Sequence, residues 1–143
     1  MSQVVIKNAD GITFIGHGKS KHWVVMDGSQ TFGGSEAATR PMELFLISLG
    51  GCTGMDVASM LKKMRVKFAK FEIYIDAERA EEHPKVFTKI DLLYKFWGGN
   101  LEADKAKIEK AINSSQDKYC SISAMIKAAN ISLNHRYEIF QMT

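Results

Sequence analysis

Two cysteines, Cys52 and Cys120, and four histidines, His17, His22, His83 and His135, are the residues whose types could do chemistry here. A thiol reacts as its thiolate, so a cysteine nucleophile needs a helix N-terminus, a cation or a hydrogen-bond network to lower its pKa. Cys120 stands immediately before SISAMIKAA (121–129), which reads as a short helix, so free amide donors can face its sulfur. Cys52 lies inside LGGCTGMDVASML (49–61), an apolar helical stretch. On an ideal helix Ser48, Asp56, Ser59 and Lys63 project within about 40° of it. Asp56, one turn on, raises the thiol pKa because like charges disfavour each other, so a working Cys52 needs a cation to offset it. The alternative is a cysteine that packs as a small hydrophobe. The histidines form no HExxH, and no CxxC or Cys/His cluster at metal-ligand spacing accompanies them, so no metal site is expected. GGCTG lacks the lysine of a phosphate-binding loop, and no cofactor is expected either.

The elements that must position these thiols follow from hydrophobic periodicity. VVIK (4–7), ITFIGH (12–17) and HWVVM (22–26) predict three short strands, with Asp10-Gly11 and Asp27-Gly28 as turn signals. GSQTFGGSEAAT (28–39) is a small, polar, glycine-bearing stretch that reads as a mobile loop or a plain connector. Pro41 opens a long helix through Met64, with Thr39 or Arg40 at its cap and Phe45, Leu49, Cys52, Met55 and Ser59 at helical spacing. Gly50, Gly51 and Gly54 each cost roughly 1 kcal/mol against alanine in a helix interior, which points to a bend or a close backbone approach. FEIYIDA (71–77) and VFTKIDLLYKF (86–96) predict a hairpin turning at His83-Pro84, with Val86, Ile90, Leu92, Tyr94 and Phe96 on one face. LEADKAKIEKAINSSQ (101–116) is helical, with Leu101, Ile108, Ala111 and Ile112 as its core stripe, and ISLNHRYEI (131–139) closes the chain as a strand. The order β-β-β-α-β-β-α-α-β is that of an α+β domain without a doubly wound parallel sheet.

At 143 residues with 45% hydrophobic content, one domain over 1–143 is expected. The net charge of +3 is scattered, which argues against a nucleic-acid or membrane partner. The N-terminus has no signal-peptide pattern, and no apolar segment reads as long enough to span a bilayer, so a cytoplasmic location is expected. In a reducing compartment two cysteines are buried thiols or a redox pair rather than a disulfide framework.

The two cysteine segments together resemble the osmotically inducible protein C / organic hydroperoxide resistance (OsmC/Ohr) family. RPMELFLISLGGCTGMDVASMLKKM (40–64) is similar to the family's Pro-x-Glu-Leu helix opening with a cysteine eleven residues after the proline, and QDKYCSISAMI (116–126) to its Cys-x-x-Ser segment. The likeness is to a less-characterised OsmC-like branch: Met42 follows the proline where the peroxidase branch has glutamate, Glu43 comes one later, and no arginine precedes Arg40. The resemblance implies an OsmC-like fold with antiparallel sheets around a long central helix, in an intertwined homodimer. It implies a thiol-dependent peroxidase in which Cys52 attacks an organic hydroperoxide, Cys120 resolves the sulfenic acid, and an external dithiol reduces the disulfide. Arg40 is then the candidate thiolate activator, Glu43 a candidate for catalysis or for closing the helix start, and Phe45, Leu49 and Met55 an apolar substrate surround. Two further readings stand beside it: the same cysteine pair acting on a disulfide, persulfide or other electrophile, or a non-enzymatic dimeric small-ligand-binding or stress protein.

Overall fold

The structure, a computed structural model, describes residues 3–143. Its elements are β1 (Val5–Asp10), β2 (Thr13–His17), β3 (Val24–Met26), α1 (Pro41–Lys63), β4 (Lys70–Arg79), β5 (Phe87–Gly98), α2 (Lys105–Ser114), α3 (Ser121–Ala128) and β6 (Ser132–Gln141). This is the α+β order that the periodicity predicts. The chain forms two compact units, Met1–Ile47 and Ser48–Thr143.

In the first unit β1, β2 and β3 make an antiparallel meander, with a register shift between Asn8 and Asp10 at its first turn. The stretch after β3 is tied down by a buried carboxylate. Asp27 accepts the Ser35 hydroxyl at 2.7 Å and the amides of Gly28, Ala37 and Ser35 at 2.8, 3.0 and 3.1 Å. Those bonds, the Ser35 hydroxyl foremost, hold its carboxyl far below the usual carboxylate range. Asp27 is therefore more than a turn signal: it organises 28–37. Gly34 fits only because it has no side chain, since a Cβ there would lie 2.0 Å from the Gly28 carbonyl oxygen.

In the second unit β5 is the central strand, antiparallel to β4 and parallel to β6. The parallel pair requires a crossover, which α2 and α3 supply. Ile90, Leu92, Tyr94 and Phe96 alternate into the core, as expected, but Val86 does not join them. A register shift between Glu78 and Arg79 lets Phe87 pair with Arg79, so Phe87 is 6% exposed and Val86 51%. One extra residue in one strand reverses the face of everything beyond it.

α1 is continuous for 23 residues, so its glycines do not break it. Leu49, Thr53, Val57 and Leu61 are fully buried along one face, and each apolar member contributes roughly 1.5–3 kcal/mol by leaving water. The glycines serve the close approach: a Cβ on Gly54 would lie 3.2 Å from Ile73 Cδ1, and one on Gly50 3.2 Å from Ile75 Cδ1, both on β4. A Cβ on Gly51 would meet nothing. With a mean hydropathy of 1.5, α1 is long and apolar enough to cross a membrane by length and composition, contrary to the sequence expectation. Only its Leu49, Thr53, Val57 and Leu61 face is buried, and 22% of the apolar window lies inside the structure.

The predicted 101–116 helix is three pieces: a 3-10 turn (Glu102–Asp104), α2, and a π turn over Ser115–Tyr119. Leu101, Ile108, Ala111 and Ile112 are buried as the stripe predicts. The π turn ends at Cys120.

Candidate active site

Cys120 is the N-cap residue of α3, with extended backbone (φ −73°, ψ 104°) and a sulfur that accepts the Ser123 amide N–H at 3.4 Å. It is 2% exposed. The first turn of a helix carries amides without intrahelical partners, and they favour a negatively charged acceptor. Cys52, half-buried on α1, lies near the same helix start: the Ile122 amide and the Cys120 thiol both act on its sulfur. Two cysteines 68 positions apart are thus neighbours over one short helix. Both are free thiols.

The forces on Cys52 oppose one another. Burial pushes its thiol pKa up, the Ile122 amide pulls it down, and Cys120 and the Asp56 carboxylate push it up again, with the upward pushes prevailing. The upward push from Asp56 is the one helix geometry predicts. The donor that opposes it lies on α3, where no local pattern around Cys52 could point.

Beneath the sulfurs lies a polar cluster. Thr53 Oγ1 is 2.7 Å from Tyr94 Oη and 2.8 Å from Ser115 Oγ, and the Ser115 hydroxyl donates to Asp56 Oδ2 at 2.9 Å. Gln116 Nε2 donates to Tyr94 Oη at 2.8 Å and to Thr53 Oγ1 at 3.1 Å. Burial pushes the Tyr94 hydroxyl up to about 12, so it stays protonated and serves as a hydrogen-bonding group. Among the described residues, Gln116 Oε1 and Ser123 Oγ are buried without a partner. The sequence presents Tyr94 only as a strand-face residue and Ser123 only within the Cys-x-x-Ser segment, and it gives Thr53, Ser115 and Gln116 no site role. A signal existed for two of them: Ser115 and Gln116 continue the Ile108, Ala111, Ile112 stripe at helical spacing, placing polar side chains where the core phase demands apolar ones.

The other candidates are placed differently. Arg40 and Glu43 sit at the opening of α1, in the first unit. Glu43 accepts the Arg40 backbone N–H at 3.1 Å, a helix-start closure of the capping-box kind, and the Arg40 guanidinium donates to Glu36 at 3.1 Å. Leu49 is fully buried, Phe45 is 39% exposed and Met55 72%. Met55 lines a shallow apolar cavity of about 370 Å³ with Gly51, Ala58, Phe71 and Ile73. Among the described residues no group of His, Cys, Asp and Glu could hold a metal ion.

A long helix beside a mixed sheet, with one free thiol near a second at a helix start, defines an α+β protein with two neighbouring cysteines. The chain belongs to the OsmC-like protein family, whose model matches residues 33–136. It is 36% identical over 137 residues to Protein YhfA of Escherichia coli, covering 96% of this chain and 97% of that protein. It is also similar to the crystal structure of a hypothetical protein from Aquifex aeolicus, with 29% identity, a TM-score of 0.85, and 100% and 98% of the two chains covered. The organic hydroperoxide resistance protein OsmC of Legionella pneumophila shares the fold at 14% identity and a TM-score of 0.64, over 97% of this chain and 96% of that one.

A thiol pKa pushed upward leaves Cys52 protonated to higher pH. Its alkylation by iodoacetamide in the Cys120→Ser variant should therefore rise with a midpoint above the ordinary cysteine value of about 8.5, where Asp56 and burial prevail; a midpoint below it would show that the helix start dominates.

Proposed function

We propose that this protein is a thiol-dependent peroxidase that reduces organic hydroperoxides through a two-cysteine cycle. The observation that carries the reading is that Cys52 and Cys120 are neighbours at the first turn of α3. Membership of the OsmC-like family, and a fold shared with organic hydroperoxide resistance proteins, support a redox or peroxide-related role.

The Cys52 thiolate attacks the distal oxygen of ROOH, the O–O bond breaks, and the departing alkoxide takes a proton to leave as ROH, with Cys52 now a sulfenic acid. The Cys120 sulfur then attacks the Cys52 sulfur, and hydroxide leaves with the Cys120 proton as water. An external dithiol reduces the resulting disulfide by two exchanges and is itself oxidised. The amides of Ile122 and Ser123 stabilise negative charge on the two sulfurs in turn. Cys52 is the half-buried partner and Cys120 the buried one, which supports attack by the first and resolution by the second.

We read the protein as a cytoplasmic homodimer. Ile47, 57% exposed, and Met55, 72% exposed, are large apolar side chains on α1 that a second copy would cover. A single monomeric species in sedimentation velocity at micromolar concentration would remove the dimer from the scheme. Phe45 and Met55 then favour an alkyl hydroperoxide, while Leu49 supports them from the core. Glu43 closes the start of α1.

Arg40 is the candidate cation that would offset Asp56 in the dimer. Arg40→Met should move the Cys52 alkylation profile to higher pH, and an unmoved profile would leave Arg40 with only its Glu36 pair, worth about 0–1 kcal/mol at a surface.

After one equivalent of cumene hydroperoxide, wild-type protein should lose both thiols and Cys52→Ser should keep its one. Loss of no thiols in wild type would exclude the peroxidase. Loss to disulfides or persulfides alone would move the activity to that substrate class.

A further inference from the structure

Asp56 poses the sharpest question in the site, because a carboxylate one turn from Cys52 works against the thiolate. Its contacts give it another task. Asp56 Oδ2 accepts the Ser115 hydroxyl at 2.9 Å, and the Ser115 carbonyl accepts the Cys120 amide N–H at 2.8 Å. A charged acceptor, one hydroxyl and one peptide group therefore connect α1, which carries Cys52, to the backbone of Cys120. Ser115 also opens the π turn, whose wider winding sets where Cys120 emerges, and π turns inside helical segments recur at functional sites. The Ser115 hydroxyl is fully buried and lies 2.8 Å from Thr53 Oγ1 as well, so α1 grips this turn through two adjacent side chains.

We propose that Asp56 is a positioning residue: acting through Ser115, it holds the π turn that presents Cys120 to Cys52 and so sets how readily the two sulfurs close into a disulfide. This rests on the cysteine pair being redox-active and is independent of which oxidant the protein meets. The groups acting on Cys52 are Asp56 from α1, the Cys120 thiol, and the Ile122 amide of α3. Removing the whole Asp56 carboxylate has two separable consequences. It relieves Cys52 of a like charge, and it releases Ser115. A residue of purely structural weight would change neither sulfur selectively.

The test measures the equilibrium between the dithiol protein and dithiothreitol, together with the pH profile of Cys52 alkylation. A hydrogen bond to a charged group contributes about 1.5–3 kcal/mol, so Asp56→Ala, which removes both charge and acceptor, should lower the disulfide equilibrium constant by roughly tenfold or more, while its alkylation profile moves to lower pH. Ser115→Ala should show a similar loss in the disulfide equilibrium without the downward move in the alkylation profile, because the carboxylate remains. Asp56→Glu, which keeps charge and acceptor, should recover part of the equilibrium. Disulfide equilibria within twofold of wild type for both Asp56→Ala and Ser115→Ala would overturn the proposal, as would a wild-type protein that forms no disulfide with oxidised dithiothreitol. Should Asp56→Ala fail to fold, Ser115→Ala decides by the same equilibrium. A wild type that forms the disulfide here and loses no thiol to cumene hydroperoxide would sink the peroxidase and leave this inference intact.

Discussion

Everything in the site depends on the first turn of α3. An eight-residue helix has few amides to spare, and two of them act on sulfur: the Ser123 N–H donates to Cys120, and the Ile122 amide pulls the Cys52 thiol pKa down. A thiolate is otherwise costly in a region this dry, since burial favours the neutral thiol. The helix start is the element that supplies amides to both sulfurs, and it serves both because the two are adjacent. A shift in where α3 begins would remove the donors from both sulfurs at once.

That constraint explains why so much polar material is buried next to a hydrophobic sheet. β5 and α1 present Tyr94 and Thr53 to each other among Ile90, Leu92, Val57 and Leu61, and the hydroxyls are satisfied by Ser115 and Gln116 from the π turn. Buried polar groups are tolerated when connected, and a connected cluster specifies one arrangement where an all-apolar core would allow several. The register of α1 against the segment before Cys120 is fixed by hydrogen bonds, which have direction, instead of by apolar contact, which has little. Gly50 and Gly54 let α1 come close enough to β4 for this to work. Asp56 belongs to the same economy: it raises the Cys52 pKa by charge and, through Ser115, fastens the turn that brings Cys120 near.

The second unit therefore holds both thiols and their supporting cluster, while Arg40 and Glu43 lie in the first unit at the opening of α1. Glu43 is engaged with backbone and Arg40 with Glu36, so neither is idle where it stands. The family match runs from residue 33 to 136 and so crosses from one unit to the other.

By itself the sequence determined the element order, the strand faces of β4 and most of β5, the buried stripe of α2, and Cys120 as a helix-start residue. These are local matters: period-2 and period-3.6 patterns and cap chemistry act over a few residues. The family resemblance singled out the cysteine pair through the spacing of Pro41 and Cys52 and through the Cys-x-x-Ser segment. The tertiary structure alone decided which face Val86 and Phe87 take, because a bulge is a property of two paired strands. It decided that the glycines of α1 receive Ile73 and Ile75 instead of bending the helix, and that Asp27 organises the loop after it. It also decided that the donor for Cys52 comes from Ile122, 70 positions away in the chain, and that Asp56 answers to Ser115. Contacts between residues so far apart are set by how the helices seat on the sheet, and no periodicity in either segment carries that information.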